Sequence, residues 1–224
     1  MDQFFRYVIN LESRKDRRGE MENQLRRIGW SAEFSQSVKP SRLGGFPSFG
    51  ARGCFLSHLD ALQRGETTGN HVLIMEDDLN FVSDFSPHWS KAVEALKTTD
   101  WSIFYPAHLL PRTSDGLLMI DSEQGIRCAH FVVFHSVAVP RIIAGLQKIL
   151  SRPAGHPLGG PMHVDGAYST LRRQNPDLRT FIFSPSLGTQ RSSRSDIADL
   201  RSFDRISFLE PLMIALRRIK QRTR

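Results

Sequence analysis

The stretch HVLIMEDDLNF, residues 71–81, decides the fold class of this 224-residue chain. Its first six residues form a short apolar run, which is typical of a central strand buried in a parallel sheet. Three consecutive carboxylates, Glu76, Asp77 and Asp78, follow at the end of that run. In open α/β sheets, ligands bind just outside the carboxyl ends of the strands. The stretch therefore predicts an α/β sheet with an acidic binding edge.

Strand and helix patterns alternate on both sides of this stretch. The predicted strands cover residues 4–11, 32–38, 101–105, 131–134 and 178–183. The predicted helices cover residues 21–28, 54–64, 87–96, 138–150 and 162–173. Residues 40–52 and 151–161 are rich in Gly and Pro and predict loops, the second either an active-site lid or a simple connection. The alternation predicts a mixed sheet with helices on both faces.

The charge balance favours an anionic partner. Lys and Arg number 30 against 23 acidic residues, which gives a net charge of +7. Such an excess suits nucleic acid, a phosphorylated small molecule or a membrane surface. No stretch interleaves basic residues regularly with aromatic ones, as a groove for single-stranded nucleic acid would. We therefore expect no nucleic-acid partner.

The two ends of the sequence bear on localisation. The first residues lack the order of charge and apolar length that a signal peptide has, and no apolar run is long enough to cross a bilayer. Residues 210–224, EPLMIALRRIKQRTR, predict a basic amphipathic helix that either lies on an anionic leaflet or docks on the core. We therefore predict one folded domain over residues 1–209 and a tail over 210–224. The expected location is cytoplasmic, with a peripheral position on the inner membrane face if the tail binds lipid.

The acidic stretch predicts a divalent cation. Carboxylates crowded together repel one another unless a cation lies among them, and Mg²⁺ or Mn²⁺ prefers oxygen ligands. Alternate residues of an extended segment point the same way, so Glu76 and Asp78 are the predicted metal ligands. The alternative is an ordinary acidic turn. The cysteines, Cys54 and Cys128, have apolar neighbours and no metal-ligand spacing, and are predicted to be buried free thiols.

Four segments together resemble glycosyltransferase family 25, the lipooligosaccharide galactosyltransferases and their collagen-modifying relatives. They are VINLESRKDRR (residues 8–18), GCFLSHLDAL (53–62), HVLIMEDDLNF (71–81) and SPSLGTQRSSRSDI (184–197). The resemblance implies a single GT-A-like domain and metal-assisted inversion at the anomeric carbon. It also implies UDP-galactose as the usual donor and a growing surface saccharide as the usual bacterial acceptor. Membrane contact by the tail would suit an acceptor that is lipid-linked. Glu76 stands where a strict Asp-x-Asp motif has its first Asp, so Asp78 is the surer metal ligand.

Each remaining candidate has a role and a plainer alternative. Asn10, Arg14 and Arg17 would contact the uridine or diphosphate, although a solvated basic helix face explains the arginines equally well. Ser57 and His58 belong either to the nucleotide site or to a structural hydrogen-bond network. Asp165 is the candidate general base, with a helix N-terminal carboxylate as the alternative and Asp196 as the second choice. The remaining donor-site candidates are Asp77, Gln190, Arg191 and Arg194.

Two other functions stay open from the sequence. A metal-dependent phosphohydrolase of nucleotide sugars could use the same carboxylates, but it would need further ligands for a second metal. The histidines show no recognisable metal spacing. A basic nucleic-acid-binding module is the weaker alternative, because no binding motif supports it.

Overall fold

The computed structural model describes residues 3–35, 37, 40–111 and 114–191. Nine strands and five helices lie within that part of the chain. In chain order they are β1 (Phe4–Ile9), α1 (Lys15–Arg27), β2 (Glu33–Phe34), α2 (Phe49–Glu66), β3 (His71–Glu76), β4 (Leu79–Phe81), α3 (Phe85–Lys97), β5 (Ile103–Tyr105), β6 (Gly116–Ile120), β7 (Phe131–Phe134), α4 (Val139–Ser151), α5 (Val164–Gln174), β8 (Thr180–Ser184) and β9 (Gly188–Gln190).

Seven strands form one mixed sheet in the order β2-β1-β3-β7-β5-β8-β6. β1 is parallel to both β2 and β3, and β5 is parallel to β8. β7 runs antiparallel between β3 and β5, and β6 is antiparallel to β8 at the edge. β1, β2, β3, β5 and β8 therefore share one direction. The predicted mixed α/β sheet is confirmed, although β3 has a parallel neighbour on one side only.

Helices cover both faces of the sheet, which explains why β3 is apolar without alternation. Val72 and Ile74 pack in a core with α2, α4 and α5, whereas Leu73 and Met75 pack in a second core with α1 and α3. All four side chains are fully buried. A strand with both faces covered gains from apolar residues at every position, since each removes surface from water.

Some elements differ from the predictions. β2 spans two residues where seven were predicted, and among the described residues Leu11 and Ser37 continue the pairing as an isolated bridge. α2 begins at Phe49, inside the predicted loop, because the Ser48 side chain caps it by accepting from Ala51 N at 3.0 Å. β4 and β9 were not predicted and pair antiparallel in a small second sheet. Three-residue strands are too short to show a period.

All described residues belong to one compact unit, Met1–Ser193. The predicted boundary at residue 209, the tail at 210–224, Arg194 and Asp196 lie outside the described residues. No helix within the described part is long and apolar enough to cross a membrane.

Candidate active site

The acidic residues lie where β1 and β3 end side by side. Ile9 pairs with Glu76 in the last register position, and Asp77 N donates to Ile9 O at 3.1 Å. β3 ends at Glu76, and Asp77 and Asp78 form the turn into β4. The alternation expected of an extended strand therefore stops at Glu76. As a result, Asp77 and Asp78 both lie beside Arg17, whereas Glu76 faces α2, so the prediction that Glu76 and Asp78 share a face is wrong.

Asp77 is held by the first strand and the first helix. Its carboxylate accepts from Asn10 Nδ2 at 2.8 Å and from Arg17 Nη1 at 3.0 Å. Burial raises the pKa of Asp77 above its ordinary value, and the contacts with Asn10 and Arg17 only partly offset that effect. The Arg17 side chain is 11% exposed, so the protein places a cation of its own among the carboxylates.

Asp78 keeps one carboxylate oxygen without a partner. Its Oδ2 accepts from Gln190 Nε2 at 3.1 Å and lies 3.8 Å from Arg17 Nη1. Its Oδ1 is buried and has no hydrogen-bond partner. Burial, and then the negative charge of Glu76, raise the pKa of Asp78 to about 6. A buried carboxylate oxygen without a donor is costly for the protein alone, which makes it a strong candidate for a ligand to a cation.

The small second sheet brings Gln190 and Arg191 to the acidic turn. Arg191 N donates to Asp78 O at 2.8 Å, beyond the last residue of β9. The Arg191 guanidinium donates to Asp77 O at 2.6 Å and lies 3.2 Å from Glu20 Oε2. Gln190 and Arg191, two of the predicted donor-site residues, therefore lie at the turn, although they are more than 100 positions from the carboxylates in sequence.

Glu76 faces helix α2 instead. Its Oε1 lies 3.5 Å from His58 Nε2 and 3.8 Å from Cys54 Sγ. His58 Nδ1 lies 3.0 Å from the Tyr168 hydroxyl on α5. Burial alone would raise the pKa of Glu76, but its pairing with His58 and the nearby His130 and Cys54 outweigh burial and lower that pKa.

Asp165 lies in the first turn of α5 and holds a neighbouring loop. Its Oδ1 accepts from Gly166 N at 2.8 Å, and its Oδ2 accepts from Cys128 N at 3.3 Å. Cys128 has φ of +67°, a left-handed conformation that costs energy for a residue with a Cβ. Its Sγ donates to Gln190 Oε1 at 3.7 Å. Cys128 thus links Asp165 to the residue that contacts Asp78.

The two cysteine thiols show that Asp165 belongs to the same region as the acidic turn. Burial, and then the charges of Asp165, Glu76 and Asp78, raise the pKa of Cys128 to about 11. Burial and the same three carboxylates also raise the pKa of Cys54. Asp165 therefore lies within electrostatic range of the thiols that also sense Glu76 and Asp78.

Asn10, Arg14 and Ser57 have internal partners. Arg14 donates twice to the exposed Asp16, at 3.0 and 2.8 Å. Ser57 Oγ lies 2.7 Å from Ser37 Oγ and donates to Gly53 O at 2.9 Å. That hydroxyl chain continues through Ser35, whose Oγ accepts from Asn10 N. Ser57 therefore supports the backbone of Asn10, which in turn holds Asp77.

The contacts of Cys54, Cys128 and Tyr168 in this region were not predicted from the sequence. Both cysteines are free and only partly buried, not fully buried as predicted. A signal was present for Cys54, since it stands four residues before His58 and residues four apart lie on one helix face. No pattern in the sequence pointed to Cys128 or Tyr168, because their contacts arise only from packing.

Comparison with known proteins gives partial matches. No family model matches the chain. The chain is 31% identical over 107 residues to a protein of Acanthamoeba polyphaga mimivirus assigned as a glycosyltransferase, in an alignment that covers 40% of this chain and 33% of that relative. The chain thus spans about a third of the length of this relative.

Three solved structures also align with the chain. A protein from STIV has 11% identity and a TM-score of 0.44, over 86% of this chain and 87% of that one. A Bacillus anthracis protein assigned as a glucose-1-phosphate thymidylyltransferase, in complex with sucrose, has 13% identity and a TM-score of 0.41, over 82% and 69%. A glycosyltransferase involved in glycosylation of the PBCV-1 major capsid has 11% identity and a TM-score of 0.36, over 81% and 93%.

Proposed function

We propose that this chain is a metal-dependent inverting glycosyltransferase with a GT-A-like fold. It would move a sugar, galactose from UDP-galactose, to a growing lipooligosaccharide or another surface glycan. The observation that carries the proposal is the buried, unpartnered Asp78 Oδ1 at the carboxyl edge of β1 and β3, with Arg17 and Arg191 beside it. The partial identity to the mimivirus protein assigned as a glycosyltransferase and the family 25 resemblance support it.

The acidic turn fits a hard divalent cation, Mn²⁺ or Mg²⁺. Asp78 would be its main ligand, because burial and the charge of Glu76 disfavour the ionised carboxylate until a cation compensates it. Glu76 would be the second ligand and would reach that cation through water, because its Oε1 faces His58 and Cys54 on α2. When bound, such a cation stabilises the negative charge of the leaving diphosphate as a Lewis acid.

The chain's own residues would position the donor. Asp77 holds the Arg17 guanidinium at the turn, and the backbone of Asp77 holds that of Arg191. Arginines fixed in this way present planar donor forks to phosphate oxygens without a large loss of side-chain entropy. Arg14 and Arg194 are proposed to contact the donor as well. Asn10, Ser57 and His58 would act indirectly, by holding the carboxylates of the acidic turn in place.

Asp165 would serve the acceptor. In the proposed step an acceptor hydroxyl oxygen attacks the anomeric carbon from the face opposite the diphosphate. The bond between that carbon and the diphosphate breaks, and the hydroxyl proton passes to the Asp165 carboxylate, so the anomeric configuration inverts. Each carboxylate oxygen of Asp165 accepts one backbone N–H and keeps a second lone pair for this proton. Asp196 remains the alternative base.

Calorimetry with UDP tests the donor site. We expect UDP to bind the wild-type chain with Mn²⁺ and at least tenfold more weakly in EDTA. Asp78→Asn should remove the dependence on Mn²⁺. Asp100→Asn is the matched control, because Asp100 is exposed and pairs with Arg179. It precedes the amino end of β5, whereas the acidic turn follows the carboxyl end of β3. Equal UDP affinity of wild type and Asp78→Asn in Mn²⁺ would refute the cation assignment.

A transfer assay distinguishes the enzyme classes. Incubation with UDP-galactose and a saccharide acceptor should yield a glycoside of inverted anomeric configuration, visible by NMR. Phosphate or sugar-phosphate release at the same rate without any acceptor would instead favour the phosphohydrolase.

A further inference from the structure

A second set of metal-ligand atoms meets beside the acidic turn, on its α2 side. Cys54 Sγ, a ring nitrogen of His58 and a carboxylate oxygen of Glu76 all lie within 4.8 Å of one another. Cys54 and His58 stand one helical turn apart on α2, and Glu76 is the last residue of β3. The packing of the helix on the strand therefore brings one sulfur, one nitrogen and one oxygen ligand together.

Two of the three separations between these atoms are close to those of ligands around a tetrahedral ion. Zinc bonds of about 2.0–2.3 Å at tetrahedral angles place nitrogen and oxygen ligands about 3.4 Å apart, and sulfur and oxygen ligands about 3.6 Å apart. The observed separations are 3.5 Å from His58 Nε2 to Glu76 Oε1 and 3.8 Å from Cys54 Sγ to Glu76 Oε1. The third separation, from Cys54 Sγ to the His58 ring nitrogen, is within 4.8 Å, so an inward movement of these two side chains would complete the geometry.

His58 is oriented as a metal-binding histidine is. The residue is fully buried, and its Nε2 lies 3.5 Å from Glu76 Oε1, at ion-pair distance but without hydrogen-bond geometry. Its other nitrogen, Nδ1, lies 3.0 Å from the Tyr168 hydroxyl. Metal-binding histidines are generally held by a hydrogen bond on the second ring nitrogen, which fixes the tautomer and leaves the first for the ion.

The ligand types select the ion. Thiolate and imidazole favour zinc and other borderline-soft ions, whereas Mg²⁺ and Mn²⁺ favour oxygen ligands such as Asp78. The side chain of Glu76 is 16% exposed, so a fourth position can reach solvent. Three protein ligands with an open fourth position are common in zinc sites.

We propose that Cys54, His58 and Glu76 form a zinc-class metal site, distinct from the hard-cation position at Asp78. Binding requires the Cys54 thiol to lose its proton and His58 to present a neutral Nε2. The thiol proton leaves to solvent as the sulfur–metal bond forms. The inference goes beyond the proposed glycosyl transfer and does not depend on it.

Metal analysis and cobalt spectroscopy of the full chain test the site. We expect one zinc per chain after exchange into metal-free buffer. Co²⁺ in place of zinc should give a sulfur-to-cobalt charge-transfer band. Cys54→Ser should lose that band and bind zinc at least tenfold more weakly. Cys128→Ser is the matched control, because it removes the other thiol and should keep both properties. Tyr168→Phe should weaken zinc binding by about 10–100-fold, as loss of an orienting partner does.

Several outcomes would overturn the site. The proposed site is refuted if the folded wild-type chain takes up neither zinc nor Co²⁺. It is also refuted if the sulfur-to-cobalt band survives Cys54→Ser or is lost in Cys128→Ser. If Cys54→Ser fails to fold, His58→Gln provides the same readouts. Asp78→Asn should keep the cobalt band while it loses Mn²⁺-dependent UDP binding. The zinc site and the proposed donor site can therefore fail independently.

Discussion

At the residue scale, the two ionisable groups that matter most, Asp78 and Asp165, differ in how the protein supports them. Asp78 has an oxygen without a donor, whereas both oxygens of Asp165 accept backbone N–H groups. The first arrangement destabilises the metal-free protein and the second stabilises it. Substitutions at the two positions should therefore have opposite effects on folding.

Asp78 should make the metal-free protein less stable as the pH rises. Its pKa is raised from 3.8 to about 6 in the folded state, so the folded protein keeps a proton there that the unfolded chain has lost. The contribution of Asp78 to the free energy of unfolding is fully present below pH 3.8 and is lost as the pH rises through about 6. At 1.36 kcal/mol per pKa unit, the loss is on the order of 3 kcal/mol.

Asp78→Asn should therefore be more stable than wild type at pH 7.5 in EDTA, and the difference should shrink toward pH 4. Urea unfolding at several pH values measures it. Addition of Mn²⁺ should stabilise the wild type and leave the variant unchanged. A wild type that is the more stable protein at pH 7.5 without metal would contradict the pKa argument.

Asp165→Asn should lower the rate of sugar transfer strongly and the free energy of unfolding only slightly. A positioned base contributes about 10²- to 10⁴-fold in rate, so we expect a fall in that range with little change in donor affinity. The substitution also puts an amide N–H₂ against one of the two backbone donors, Cys128 N or Gly166 N, which should cost about 1 kcal/mol of stability.

Measurement of the melting temperature, UDP affinity and transfer rate on the Asp165→Asn variant separates these effects. A near-wild-type rate with the stability loss intact would make Asp165 a structural carboxylate. The search for the base would then move to Asp196.

Part of this site could be predicted from residues alone. Asp77, Asp78, Asn10, Arg17, Gln190 and Arg191 were expected near one another from their motifs and the family resemblance, and the structure places them around one turn. Their role toward a donor stays a prediction. The direction of Glu76 could not be predicted, because strand alternation fails where β3 turns at Asp77. The contacts of Cys54 with Glu76, and of Cys128 with Asp165, depend on how α2 and α5 pack on the sheet. No local pattern encodes that packing.

At the element scale, helix α2 positions Cys54 and His58 through a close approach to the sheet. A Cβ on Gly65, near the end of α2, would lie 2.3 Å from Val72 Cγ2 and 3.1 Å from Phe5 Cδ1. Only a residue without a side chain lets this turn of the helix lie on β1 and β3. The sequence predicted the bounds of β3 and the central part of α2, but it gave no measure of the distance between them.

Gly65→Ala should therefore destabilise the protein although alanine is the better helix former. Overpacking in a core costs about 1–3 kcal/mol, which exceeds the gain of about 0.5–1 kcal/mol in helix propensity. Gly19→Ala in α1 is the matched control, because a Cβ there has nothing within 4 Å and only the propensity gain remains. Chemical unfolding of both variants measures the difference. A Gly65→Ala protein as stable as Gly19→Ala would show that the helix can move away at little cost.

Element prediction succeeded where a buried face sets the period. The residues of β3 were predicted without error, because an apolar run is bounded on one side by Gly69 and Asn70 and on the other by carboxylates. Prediction failed for β4 and β9, whose pairing depends on residues more than 100 positions apart. That pairing carries Gln190 and Arg191 to the acidic turn, so two of the missed strands assemble the donor side of the site. The third missed strand, β6, lies at the edge of the large sheet.

At the scale of the whole molecule, the sequence carries an excess of positive charge that is concentrated toward its end. Five of the last eight residues are Arg or Lys, in a chain whose net charge is +7. The acidic turn and the basic end would suit different partners, a cation with a nucleotide and an anionic surface. These two properties should be separable by truncation.

Deletion of residues 210–224 should weaken binding to anionic vesicles more than transfer to a short water-soluble acceptor. Each basic residue near an anionic surface contributes about 1 kcal/mol, so the loss of five should reduce the bound fraction by well over tenfold. Cosedimentation with phosphatidylserine vesicles measures it, with neutral phosphatidylcholine vesicles as the control. A full-length variant with Gln at the five basic positions keeps the apolar residues Leu212, Leu216 and Ile219, and it should lose vesicle binding to nearly the same degree if charge dominates. If the Gln variant binds vesicles as wild type does, or if the truncated chain aggregates on purification, the segment packs on the protein and a membrane role is excluded.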